Sequence, residues 1–392
     1  MKKYLLILTC LLTIACSNDS DPEADKANFT HIYDSQLYNT SYEPIDIKQT
    51  PDGGYLVLAS RRLESSNFPG IYLMKVDEFG GLISGQLVDE QYVSPTGELM
   101  ELNESYFFFC MTELNLQTHL IEINAEGEIL QTTNVGSSYP SAAALDNTNF
   151  LLLSYNNANM TSVVSIINTT GVTLQSAEYT VGAGDAVEEP IINHFLRTGR
   201  QFPFKVGKTT EGQYFFNGFY NYTFSLVFTD LGSGGLGVVQ GQQDDGGISQ
   251  LAQLSGTTFA TARFNFGDNY FLPNVTLNTS GISSSSDLGG FTLPELVENA
   301  PVEIVLSTIK ETNVILFASN TRSGQIGIYV YDMASGEFLG SKYFGFSNPY
   351  EVSAIINTAD NGIAIGGTSY VAGRFPRITL FKISSEELAK IF

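Results

Sequence analysis

The chain alternates short apolar runs with polar turns and holds no helical period for long. The clearest stretch reads "IDIKQTPDGGYLVLASRR" followed by "GIYLMKVDEFGGLISGQLV". It predicts a strand, a tight turn at Asp52-Gly53, an apolar strand, a longer loop, a third strand, and a hairpin into a fourth. Near the C-terminus "VSAIINTADNGIAIGGTSYVAGRFPRITLFKIS" follows the same plan. Weaker copies lie between them at a spacing of about 50 residues, with second strands in "SYFFFCMTE", "NFLLLSYNN", "QYFFNGFYN", "TFATARFNF" and "NVILFASNT". Glycine after an acidic or amide residue recurs in the last hairpin of each copy, where a short β-turn needs positive φ.

These copies number about seven, a period and count that predict a single all-β domain, a β-propeller of about seven four-stranded blades. The last copy lacks a fourth strand, while "FTHIYDSQLY" stands unpaired at the start of the domain. Residues 29–38 are therefore expected to pair with 378–384 and complete the last blade. Two copies are stretched, one by "GAGDAVEEPIINHFLRTGRQFPF" and one by "NTSGISSSSDLGGFTLPELVENAP". Long loops on a rigid scaffold are frequent sites of function.

Composition supports the class. Glycine numbers 37, aromatic residues make up 12% and charged residues only 15%, against roughly 25% in soluble domains generally. The formal net charge of −22 argues against nucleic acid or an anionic membrane surface as a general partner, since both would be repelled. Three cysteines allow no disulfide framework, and Cys110, inside "YFFFCM", reads as a buried thiol.

Ahead of the domain, Lys2 and Lys3 precede a short apolar run that ends at Ala15-Cys16. The run is too short to span a bilayer and has the form of a secretory signal. The segment Thr13-Ile14-Ala15-Cys16 resembles a bacterial lipobox, with Thr13 where an aliphatic residue is usual. The resemblance implies cleavage after residue 15, lipidation of Cys16, and a flexible tether over 16–28 leading to the domain at 29–392. Acidic residues directly after the cysteine resemble surface-export signals of Bacteroidota lipoproteins. The "TPDGGYLVLAS" and "YLMKVDEFG" phrases likewise resemble divergent β-propeller lipoproteins of that cell envelope. An outer-membrane, surface-exposed location is what these resemblances imply.

Candidate chemistry lies in the charges. On the predicted register Arg61, Arg62, Arg263, Arg322, Arg374 and Arg377 fall at the loops between second and third strands, and Arg197 and Arg200 in the first insertion. All would occupy one face. Tyr220, Tyr222 and Phe375 accompany them, whereas Asp52, Asp77, Glu126, Asp332 and Asp360 mark the opposite face. Arginine forks and aromatic platforms suit an acidic or polyhydroxylated ligand, a glycan or peptide, or a partner protein. The competing reading is that these arginines cap strands and pair with neighbouring carboxylates. His194 beside Glu188 and Glu189 offers an acid/base group for an alternative role as a polysaccharide hydrolase or lyase. A structural place in an outer-membrane complex is a further alternative. The three histidines show no metal-ligand spacing, and neither metal nor cofactor is expected. A monomer is expected.

Overall fold

A computed structural model describes residues 26–34, 40–182, 188–198, 200–232, 234–371 and 375–392. Cys16 and Arg374 lie outside them, as do residues 35–39 of the expected closing strand. Among the described residues nearly all regular structure is antiparallel strand. The strands fall in chain order into seven units of four antiparallel strands each, the fourth unit carrying a fifth, parallel strand, Ile282–Ser284, from the second insertion. The first comprises Tyr42–Gln49, Tyr55–Arg61, Gly70–Val76 and Leu82–Leu87. The last comprises Tyr350–Asn357, Ile363–Ser369 and Arg377–Ile383, with Phe29–Tyr33 as its fourth strand. Units one and two share one sheet through the short strand Tyr92–Val93. This is the order of a β-propeller scaffold.

Apolar packing explains why the second strands read as continuous hydrophobic runs. Side chains alternate across a strand, so a strand covered on both faces must be apolar at every position. In unit two, Phe108 and Cys110 pack with Leu56, Leu58 and Leu73 of unit one. The intervening Phe107 and Phe109 pack with Phe150 and Leu152 of unit three. The pattern repeats around the molecule. Val314 and Leu316 of unit six face Ile363 and Ile365 of unit seven, while Ile315 and Phe317 face Ala260 and Phe271 of unit five. Unit seven packs on unit one, with Ala364, Ile378 and Leu380 against Tyr55, Val57 and Met74. Cys110 is buried between units one and two, as expected, and burial pushes its thiol pKa up.

The N-terminal strand takes the place anticipated for it, pairing antiparallel with Phe29 opposite Lys382 and Tyr33 opposite Ile378.

The conserved phrasing of the first and last copies is a turn device. Asp52 Oδ1 accepts from Thr50 Oγ1 at 2.6 Å and Gly54 N at 3.1 Å, and buried Lys75 reaches the same carboxylate at 2.9 Å. Asp360 repeats this with Thr358 Oγ1 at 2.6 Å, Gly362 N at 3.2 Å and buried Lys382 at 2.8 Å. Asp77 and Asp332 accept backbone N–H groups of their own turns. The acidic end of the scaffold is thus largely consumed by internal bonds.

Candidate functional site

Every unit sends its first strand, or the residues just before it, to one central cavity of about 860 Å³. Asp46 and Lys48 come from unit one, Glu98 from the approach to unit two, Lys205 from unit four, Gln250 from unit five and Glu303 from unit six. β-Bulges break the first strands of units one, three, five and seven at corresponding places, at Ile45, Ser141, Ser249 and Ser353. A bulge re-aims the residues around it. Asp46 follows one such bulge, and its carboxylate accepts Ile47 N and Leu99 N at 2.8 Å each, which joins unit one to unit two. Gln250, placed equivalently, accepts Leu251 N and donates to Glu303 Oε2 at 2.9 Å.

Charge inside the cavity is mixed, with an acidic excess. Six carboxylates (Glu43, Asp46, Glu98, Glu298, Glu303 and Glu351) face Lys48, Arg197, Arg200 and Lys205. Burial in the wall pushes the Glu303 carboxyl up to about 7; Lys205 opposes the shift, while Asp46 and Glu98 add to it. Burial raises Glu98 in the same direction. The Lys48 ammonium, 3.7 Å from Asp46 Oδ2, is raised by that carboxylate.

A group that holds its proton to higher pH when folded costs stability once it must ionise. Because Glu303 binds a proton between its ordinary range and about 7 only in the folded state, stability falls as pH rises through that window. Glu303→Gln is expected to remove this loss. It should stabilise the protein at pH 8 by roughly 2 kcal/mol, discounted for access of water to the cavity, with little effect at pH 4.5. Urea unfolding at the two pH values checks it, and an equal effect at both would contradict it.

The first insertion covers part of the mouth. Its helix, Glu188–Leu196, buries Ile191 and Phe195 against Tyr139, Phe202, Phe219, Phe224 and Phe264. The sequence pattern, read as a loop, missed this helix. The chain then turns at Arg197, which has φ of +52°, and returns along the cavity. Arg197 reaches Glu43 of unit one at 3.6 Å. Arg200 stacks over Phe202 and Phe264 at 5.1 and 4.6 Å and lies 3.8 Å from Asp245. Across the mouth, Tyr370 donates to Glu351 at 3.0 Å. Ser249 Oγ and Arg200 Nε are buried at this wall with no hydrogen-bond partner among the described residues.

The pairing registers set Arg61 opposite Tyr42 and Arg263 opposite Ile248, near the starts of first strands. Of the seven arginines anticipated from sequence that lie among the described residues, only Arg197 and Arg200 line the cavity. Arg263 is a correction. It is 5% exposed, stacked 3.7 Å over Tyr270, and donates Nε to Gly289 O at 2.7 Å, so its guanidinium staples the second insertion to unit five. Arg377 is fully buried. Arg61 lies over Tyr42, and Arg322 donates to Leu296 O at 2.9 Å while remaining exposed. Arg62, Tyr222 and Phe375 are exposed, and Tyr220 is half-buried against Tyr179.

His194 is a second correction. Its Nδ1 accepts Phe202 N at 3.3 Å, and burial, reinforced by Arg197, pulls its pKa down to about 3. Such a ring is a neutral structural acceptor that locks the returning chain to the helix and does not trade protons near neutrality. Glu189 points to solvent. The side chain of Glu188 lies outside the described residues. Among the described residues no cluster of three or more His, Cys, Asp or Glu could hold a metal ion.

No protein-family model and no curated protein matches this chain. Solved structures similar to it include a putative 6-phosphogluconolactonase from Bacteroides uniformis, at 13% identity and a TM-score of 0.47, covering 88% of this chain and 97% of that one. The β-propeller domain of the Trilobed protease from Pyrococcus furiosus is similar at 8% identity and 0.45, covering 87% and 93%. The AfRom2 CNH domain is similar at 10% identity and 0.48, covering 90% and 98%.

Proposed function

We propose that this protein is a lipid-anchored binding module of the bacterial cell surface, a closed propeller of seven blades that takes a polyhydroxylated ligand, glycan or peptide, at the mouth of its central cavity. The observation that carries the reading is the convergence of first strands, or of the residues just before them, from the successive units on one cavity walled by charged and hydrogen-bonding side chains. Packing of unit seven on unit one and the pairing of Phe29–Tyr33 with Arg377–Ile383 support closure. Concave, polar-lined cavities at the centre of a rigid scaffold are where ligands bind.

The acidic excess of the wall changes the ligand expected from sequence. A polyanion would meet six carboxylates, so neutral or zwitterionic ligands rich in hydroxyl and amide groups fit better. Lipidation at Cys16 and export to the outer leaflet rest on the lipobox-like segment and the acidic tether.

A glycan and peptide array probed with residues 17–392 tests the reading. A neutral or zwitterionic hit is expected, with affinity lowered at least about tenfold by the paired changes Arg200→Ala and Glu351→Gln, or about 1.4 kcal/mol. Arg61→Ala with Arg62→Ala should leave it unchanged. The reverse pattern would move the site to the outer loops, and shortened oligosaccharide among the products would replace binding with hydrolysis or elimination.

A further inference from the structure

We propose that the end of the scaffold opposite the cavity mouth is a lipid-facing surface that lies on the bilayer and turns the mouth toward the medium. The proposal rests on the reading of Cys16 as the lipidated residue. The incoming chain reaches the domain at this end. Asn28 Oδ1 accepts Ser384 N at 2.9 Å, Lys26 pairs with Glu78 at 3.2 Å, and Tyr33 donates to Gly80 O at 2.8 Å. All three contacts sit at the turns after third strands. Only eleven residues lie between Cys16 and Asn28, twelve steps along the chain and a reach of about 40 Å when fully extended. A lipid at Cys16 therefore holds this end of the domain nearer the membrane than the other.

The surface there is apolar at repeated positions. Just after the third-to-fourth turn, Leu82 and Ile83 of unit one, Ile129 and Leu130 of unit two, and Val172 and Leu174 of unit three are 40% to 58% exposed. Phe338 of unit six holds the same place and is 55% exposed. Edge strands ordinarily carry charge at such exposed positions; at the mouth end Leu114, Tyr222, Phe266 and Phe346 are exposed too, but singly and at turn tips, whereas here the apolar residues recur in pairs at the same place of successive units. Asp52, Asp360 and Asp146 at this end are paired with Lys75, Lys382 and Lys208, while Glu104, Glu126, Glu128, Glu211, Glu311 and Glu337 remain exposed there, which disfavours an anionic lipid surface. The occupant this chemistry fits is a zwitterionic bilayer surface, entered shallowly by the aliphatic pairs.

The chain contains no tryptophan, so single reporters are unambiguous. The lipidated mature protein carrying L130W, V172W or F266W would be bound to phosphatidylcholine vesicles with brominated acyl chains. Emission of L130W and V172W should fall at least twofold relative to unbrominated vesicles, while F266W, at a second-to-third turn of the mouth end, should not change. Equal emission for all three, quenching of F266W alone, or shielding of L130W by self-association without quenching would overturn the proposal. Intact-mass measurement separates the two readings. A lipid adduct on Cys16 with no quenching sinks only the orientation, and an unmodified Cys16 on protein that does not float with vesicles sinks the lipidation reading itself.

Discussion

Deleting residues 26–34 from the mature protein should lower its unfolding free energy by about 5 kcal/mol. The strand Phe29–Tyr33 pairs over its whole length with Arg377–Ile383, every residue of which is buried. Phe29 and Tyr33 pack on the cluster between units seven and one, and Ile32 on that between units six and seven. Each partly buried apolar side chain contributes about 1 kcal/mol and each exchanged backbone hydrogen bond a similar amount. Loss of the strand also leaves an open edge and removes the carboxylate of Asp34 from Arg377. At roughly 2 °C per kcal/mol for a chain of this size, the midpoint of thermal unfolding should drop by about 10 °C. Calorimetry of the two forms checks this, and coincident transitions would mean that the strand closes nothing.

Arg377→Met should cost about 3 kcal/mol, an effect confined to the seam between the last unit and the first. The guanidinium is fully buried, donates Nε to Asp34 Oδ1 at 2.7 Å and Nη1 to Thr40 O at 2.7 Å and Pro376 O at 3.1 Å, and lies 6.0 Å over the ring of Tyr42. Methionine keeps much of the packing and removes every donor, which leaves the Thr40 carbonyl without its charged partner. Asp34 is 46% exposed and can turn to water, so the penalty is smaller than for a pair buried on both sides. Both changes act on Asp34 and Arg377. Combined with the deletion, the substitution should therefore cost less than the sum of the two. Urea midpoints of the single and combined forms measure this, and strict additivity would show that Arg377 acts elsewhere.

The scaffold was legible because its strands are covered on both faces. That coverage writes unbroken apolar runs such as "SYFFFCM", and the turn at Asp52 and Asp360 writes the same Thr-x-Asp phrase twice. The unpaired strand at residue 29 could be matched to a vacancy for the same reason. The site was legible only in part. The loops pointed to one end of the scaffold, and Arg197 and Arg200 in the insertion do reach the cavity. Nothing in a sequence separates an arginine that presents its fork from one that lies flat on Tyr270 or vanishes beneath Tyr42, because stem length permits both.

Asp46, Glu98, Lys205 and Glu303 escaped notice for a different reason. Asp46, Lys205 and Glu303 lie on first strands, where a charge reads as a solvent-facing position, and Glu98 lies on the approach to one; only the convergence of these segments on one cavity turns them toward one another. A signal was present in "PIDIKQ", where a carboxylate interrupts the apolar members of an innermost strand directly after the point at which the pairing slips. The insertion helix was missed because nine residues with few apolar positions carry little periodicity. What fixes it is the aromatic cluster beneath Phe195, assembled from units three, four and five.

The central claim, a scaffold closed by its own N-terminal strand, is tested most directly by a cross-link in register. Ile32 lies opposite Thr379 in the antiparallel pair, a separation within the span of a disulfide. Ile32→Cys with Thr379→Cys should oxidise in the folded protein to a single intramolecular bond that survives to denaturing electrophoresis and raises the unfolding midpoint. Thr30→Cys with Thr379→Cys, displaced by two residues, should not. Failure of the first pair, or equal bonding by both, would contradict the closed ring.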